Sequence, residues 1–559
     1  MASSSASAAT PGPPTLPAAT TNSLLVPLLN QVGIDWRSLL AFRLGLGWIL
    51  IWDALARIGD AKAFYTAQGV LPRGLWLQEF ASRYPLCLNL ASDEPWFAYS
   101  LLVILAALGL CIAVGFRTRT SLFFAFVLLG SLHSRNPQIL SLGDSLLRML
   151  VFWAIFLPWG WLATWTRSSD EAEDSARDTS KPTSACSLAV GALFLQVAGM
   201  YFITALMKTG DAWHNGQALY LALSLEHMNY PWARQLLAYP DFLQFLTHAT
   251  MVLEYLAPFL LLGIPYPKVS RMVAVVMLAS LHIGIISAIR IGIFPWVNLL
   301  ALVPFLPAAF WTAVPAAISR FGFFVVQSCT RRSSASVVVR SANQGESVVV
   351  RSANQPWTAE RSTTHPWTAE RSTTLAWIAE RSTTLVVAAF LFYVVWWNLG
   401  TVNGKWALPS EWRTIGYALR LDQRWGMYAP EPTDFDGWFV MVAQTADGRE
   451  FDLFRGGTNV TWDKPADVAG MFPNFRWRKF LMKLVSRGTP KVLRASYAAY
   501  VVTQWNNAHS ADQQIERLDI YFFVERTLPE NEVTLNRRRV HTYTAEKASS
   551  PEKASQVSP

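Results

Sequence analysis

ITALMKTGDAWHNGQALYLAL, residues 203–223, ends a long apolar run at Lys208 and then gathers Thr209, Asp211, His214, Asn215 and Gln217. A run of about 20 apolar residues is the length of a membrane-crossing helix. Lysine at the end of such a helix commonly extends its ammonium toward water, and a Trp just beyond it, here Trp213, commonly marks the interface. The same residues would also suit a buried amine in a polar pocket. Which of the two holds decides whether Lys208 anchors a helix or does chemistry.

The whole chain has the composition of a membrane protein. Of its 559 residues 52% are hydrophobic and only 15% charged, against about 25% charged in a soluble domain. Its 25 Trp fit a protein with rings at two membrane interfaces. The net charge of +9 lies largely in short loops between apolar runs, where it sets topology, so no nucleic-acid partner is expected. Four Cys, none in the C-terminal region, make a disulfide framework improbable.

The hydropathy pattern predicts about nine spans, at 38–57, 96–115, 119–135, 145–166, 187–208, 242–263, 271–289, 292–312 and 384–399. Basic loops at 115–121 and 267–271, with Arg320, Arg331 and Arg332, share one side by parity, and the positive-inside rule makes it cytoplasmic. Lys208 then stands at the outer end of the fifth span. The N-terminus is cytoplasmic and the C-terminal domain extracytoplasmic, which in a bacterium means the plasma (inner) membrane.

Residues 1–30, rich in Ala, Ser, Thr and Pro, read as a disordered tail, followed by a transmembrane domain over 31–330. An acidic linker occupies 168–183. Between 331 and 383 SVVVRSANQ occurs twice, then PWTAERSTTH, PWTAERSTTL and AWIAERSTTL follow at a period of ten. Ten residues do not keep the Trp side chains on one helix stripe, so this reads as a disordered linker before the last membrane helix, 384–400. Residues 401–535 change character. Alternation in WFVMVAQTADGREFDLF (438–454) around Asp447-Gly448 predicts a hairpin, 495–505 and 517–528 have strand composition, and 474–485 looks helical. The expected fold is a multipass helical bundle followed by a small β-rich outer domain and a frayed tail at 536–559.

Ionisable side chains within spans call for explanation. Tyr201, Thr204 and Lys208 share one helix face, as do Gln244, Thr247, His248, Met251, Glu254 and Tyr255. His282 lies mid-span, and Asp53 with Arg57 and Asp144 with Arg148 are i,i+4 pairs that read as internal neutralisation. The histidines lack metal-ligand spacing, and no hydrolase elbow, Walker loop or dinucleotide fingerprint is present, so no metal is expected and these enzyme classes have no motif to stand on.

Three stretches carry a family resemblance. FRLGLGWILIWDAL (42–55) and GFRTRTSLFF (115–124) lead to YFITALMKTGDAWHNGQA (201–218), where Trp and Gly follow the lysine by five and eight residues. LHIGIISAIRIGIF (281–294) places a His ten residues before the Gly of an Ile-Gly-x-Phe motif, and LDQRWGMYAPEP (421–432) opens the outer domain. The chain thereby resembles the horizontally transferred transmembrane (HTTM) domain of vitamin K-dependent gamma-carboxylases. The resemblance implies a quinone-hydroquinone-dependent carboxylase or epoxidase, with a reduced quinone of vitamin K or menaquinone type and an exported protein or lipidic substrate. It implies Lys208 as the base and His282 as the group that holds the deprotonated ring. Tyr201, Thr204, Trp213 and Glu254 are the candidates for cofactor contact. A His that the animal enzymes carry between their third and fourth spans is replaced near Gly143 and Asp144. Whether the chain is an enzyme stays open: a non-catalytic chaperone or scaffold for exported proteins, like the lipase maturation factors, is the rival reading, and a transporter the third.

Overall fold

A computed structural model describes residues 33–162, 184–313, 366–486, 488–527 and 533–545. The expected tail at 1–30, the acidic linker and most of the repeats lie outside them. Six described helices are long and apolar enough to cross a membrane: Trp36–Ile58, Pro95–Val114, Leu188–Met207, Pro240–Leu262, Pro267–Ala288 and Arg381–Val402. The other three expected spans are shorter or more polar helices. Thr118–Arg135 carries Arg, His and Ser, and the segment from 145 ends its helix at Ala154, ahead of Pro158. Phe294–Leu302 tightens into a 3₁₀ turn around Pro304.

Local chemistry sets the ends of the helices that matter here. Ser187 caps Leu188–Met207 by accepting from the Val190 N–H. Pro240 and Pro267 each occupy the first helical position of their helices, where the missing N–H costs nothing. Gly263, at φ +89°, closes the Pro240 helix. Leu188–Met207 packs against Pro240–Leu262, Leu142–Ala154 and the last long helix, and Pro240–Leu262 packs in turn against Pro267–Ala288.

The C-terminal domain is a four-stranded antiparallel sheet in the order Glu450–Asp452, Phe435–Thr445, Ile515–Thr527, Val533–Thr544. The hairpin turns at Gly448 as expected, with φ +85°. Two corrections follow. Residues 495–505 are not a strand but part of the helix Lys491–Asn506, whose buried Leu493, Tyr497, Ala498 and Val502 follow a helical repeat. The domain does not end at 535, nor is 536–544 a frayed tail, because Val533–Thr544 pairs along Ile515–Thr527 and satisfies its edge.

The repeat region also needs correction. One helix runs from Pro366 to Val402, so the last two decapeptides continue the last membrane helix instead of forming a disordered linker. Its 37 residues span roughly 55 Å, well beyond the ~30 Å of a bilayer core.

The sheet domain is docked on the bundle, not only tethered to it. A single apolar core runs through both parts. The helix Phe475–Val485 supplies much of the contact. Trp477 Nε1 donates to Asp60 at 2.8 Å, and the Phe475 ring occupies the space where a Cβ on Gly292 would sit, only 2.6 Å away. Gly292 also has φ +69°, a conformation that favours glycine. The Ile-Gly-x-Phe motif thus seats the C-terminal domain.

Candidate functional site

All six nominated residues line one cavity of about 600 Å³ between the Leu188–Met207, Pro240–Leu262 and Pro267–Ala288 helices. Its other walls are mostly apolar, which excludes water and strengthens any polar contact inside. Lys208 is 3% exposed and so is no snorkelling anchor. Its Nζ lies 2.6 Å from Glu254 Oε2 and 3.9 Å from the centre of the Trp213 ring. The spacing of five between Lys208 and Trp213 has a physical meaning here. The helix stops at Met207, the chain turns through Gly210, and the indole folds back under the amine as a cation–π partner.

A second polar group lies in the same cavity. Tyr201 Oη is 2.8 Å from His282 Nε2 and 3.4 Å from Asn298 Oδ1. With the hydroxyl proton directed at Nε2, the imidazole carries its hydrogen on Nδ1, which is buried and has no protein partner among the described residues. Thr204 turns its hydroxyl to backbone, donating to the carbonyls of Met200 and Trp425, and so contributes wall more than reactivity.

The segment 421–432 closes the cavity, and sequence reading did not assign it a place in the site. Thr204 reaches the Trp425 carbonyl at 2.9 Å, Trp213 Nε1 donates to the Tyr428 carbonyl at 2.9 Å, and Gly210 N–H donates to the Pro430 carbonyl at 3.0 Å. Trp425, Met427 and Tyr428 become lining residues. Asn298, four residues past Phe294, is the other one missed. Its only sequence signal was a polar residue in an apolar run.

The polar stripe on the Pro240 helix divides. Glu254 enters the cavity, but Gln244 and His248 bind the carbonyls of Asn215 and His214, and Thr247 accepts the Leu219 N–H. They fasten the loop that carries Trp213 to the helix. Gly216, at φ +82°, lets that loop press against them: a Cβ there would stand 2.4 Å from Gln244 Cγ.

The Asp–Arg pairs are not two separate neutralisations. Asp53 binds Arg57 at 2.8 Å, but Asp144 binds Arg57 at 2.6 Å and Arg476 of the C-terminal domain at 3.2 Å. Arg476 also binds Asp53 at 2.6 Å. Arg148 instead donates to the carbonyls of Arg420 and Asp422, and His133 bridges Arg57 and Arg148. Asp53, His133 and Asp144 offer donor atoms within 4.8 Å of one another. Two guanidinium groups already neutralise these carboxylates, so the cluster fits a domain clamp better than a cation site.

In comparisons with known proteins, no curated protein and no solved structure matches the chain. The family model described as the HTTM domain matches residues 32–311, half of the chain.

Proposed function

The chain belongs to the HTTM domain family and is a membrane protein, and from that premise we propose that it binds a reduced quinone of vitamin K or menaquinone type in the Lys208 cavity. The reading is a quinone-hydroquinone-dependent carboxylase or epoxidase working at the outer face of the membrane on an exported protein or a lipidic substrate. The observation that carries it is the convergence of Lys208, Glu254, Tyr201 and His282 on one apolar cavity. A largely apolar ring with two oxygens suits such walls. His282 Nδ1, which has no hydrogen-bond partner among the described residues, is a polar atom such a molecule could satisfy.

The bound hydroquinone supplies the electrons for reducing oxygen. The protein's part is to bind it, exclude water and handle its proton. Lys208 Nζ and Glu254 Oε2 lie 2.6 Å apart, so the base is the pair acting together rather than the amine alone. His282, fixed by Tyr201, donates to the ring oxygen that loses its proton. In this arrangement about nine crossings bring the N-terminus to the cytoplasmic side and the sheet domain outside, with Thr118–Arg135, Leu142–Ala154 and Phe294–Phe305 completing the bundle.

Quinone epoxidation measured in reconstituted membranes should vanish in Lys208→Ala, and unchanged turnover would overturn the assignment. A second reading, a chaperone or scaffold for exported proteins, is favoured by the purely structural bonds of Gln244, Thr247 and His248. A stable exported partner that co-purifies with wild type and with Lys208→Ala alike would support it.

A further inference from the structure

A second cavity, about 650 Å³, borders the first and shares Leu142, Phe294, Met427 and Tyr428 with it. Its charge is of a different kind. In the first cavity an amine and a carboxyl meet each other. Arg83, Arg424, Arg478 and Lys479 line the second, with Asp422 as the one carboxylate. Asp422 is already held 3.7 Å from Arg148 and 3.6 Å from Arg420, neither of which lines the cavity. The positive charge of the walls is therefore not balanced from within.

Arg478 is the most telling member. It is 4% exposed, its Nη1 donates to the His227 carbonyl at 3.2 Å, and its guanidinium lies 5.5 Å from the centre of the Phe475 ring. Both partners are neutral. Burial pulls its pKa down to about 10, because the loss of water outweighs the opposing pull of Asp436, with which it makes no salt bridge. Arg83 lies over the Tyr417 ring at 4.5 Å, again a neutral partner. The Tyr428 hydroxyl, in the wall between the cavities, is a donor without an acceptor among the described residues. A buried charge such as Arg478 and a buried donor such as Tyr428 are costly unless something supplies the complement.

We propose that this second cavity binds a phosphate group. Four cations facing one neutralised carboxylate suit an anion, and guanidinium forks match phosphate oxygens. Arg83 and Arg424 are exposed, which leaves a way in from solvent or from the membrane surface. The group belongs either to an anionic phospholipid headgroup or to a soluble phosphate. The inference does not rest on the quinone reading.

The test uses the full-length protein with two probes. Inorganic phosphate is titrated at low ionic strength by calorimetry, with chloride as the control, and nanodiscs containing phosphatidylglycerol are compared with phosphatidylcholine discs for lipid retained after purification. Saturable binding of at least one probe is expected, weakened about tenfold in Arg424→Gln, as for loss of one charged hydrogen bond. Phosphate binding assigns a soluble ligand, and selective retention of phosphatidylglycerol without phosphate binding assigns a headgroup. Arg478→Gln risks misfolding, so an Arg424→Gln/Lys479→Gln variant, checked for wild-type melting, gives the decisive comparison. Binding of neither probe, or binding unchanged in that variant, overturns the proposal.

Discussion

Lys208 Nζ stands 2.6 Å from Glu254 Oε2, and both side chains are buried. Breaking a buried pair strands the remaining charge, which costs far more than the pair's net contribution. Lys208→Ala should therefore lower stability by about 3 kcal/mol, and Glu254→Gln added to it should restore most of that loss. Thermal unfolding of the two single variants and the double variant closes the cycle. Additive losses would mean that the two groups do not interact. The double variant also separates chemistry from folding, since turnover lost in a well-folded double variant reports on the base.

Arg476 joins Asp53 and Asp144 from the opposite domain. Removing it leaves two buried carboxylates with Arg57 as their close guanidinium partner. Arg476→Ala should cost about 3 kcal/mol and expose the C-terminal domain to protease. Arg476→Lys should recover little, because one ammonium cannot span both carboxylates as the guanidinium fork does. Limited proteolysis beside a melting curve checks both points. A C-terminal domain as resistant as wild type would show that the clamp is not what holds the parts together.

How much of this was legible in the sequence depends on whether the signal was local. Membrane helices and the Asp447-Gly448 turn are local patterns, and hydropathy and turn chemistry found them. Lys208, Glu254, Tyr201 and His282 were visible because ionisable groups are rare in apolar runs. What lay beyond reach was pairing across the chain. Asp144 has Arg148 four residues away but takes Arg57 and Arg476, because close packing between helices and domains sets partners that spacing cannot. The same holds for Trp425 and Tyr428, whose backbone carbonyls close the cavity, since a carbonyl carries no sequence signal. The helix at Lys491–Asn506 was misread because Tyr and Val favour strands, while its buried face follows a helical repeat.

Gly292 couples the histidine motif to the C-terminal domain. Its φ of +69° and the Phe475 ring, 2.6 Å from where a Cβ would be, act against any larger residue. Gly292→Ala should destabilise by about 2 kcal/mol, part conformational and part steric. In a Phe475→Ala background only the conformational share, about 1 kcal/mol, should remain. Equal losses in the two backgrounds, read from melting temperatures, would remove Phe475 from the account.

Tyr201 tests the second half of the site. Its hydroxyl is the one close partner of His282 Nε2, and Nδ1 has none among the described residues. Tyr201→Phe keeps the ring volume and deletes that bond with the weaker contact to Asn298, so stability should fall by about 1 kcal/mol. If His282 orients a bound quinone, the same change should lower kcat/KM for quinone epoxidation about tenfold. A purely structural Tyr201 predicts the stability loss alone. Measuring melting and kinetics on the same preparations decides between these outcomes. Asn298→Ala serves as the control, because it removes the weaker 3.4 Å contact and leaves the bond to His282 in place.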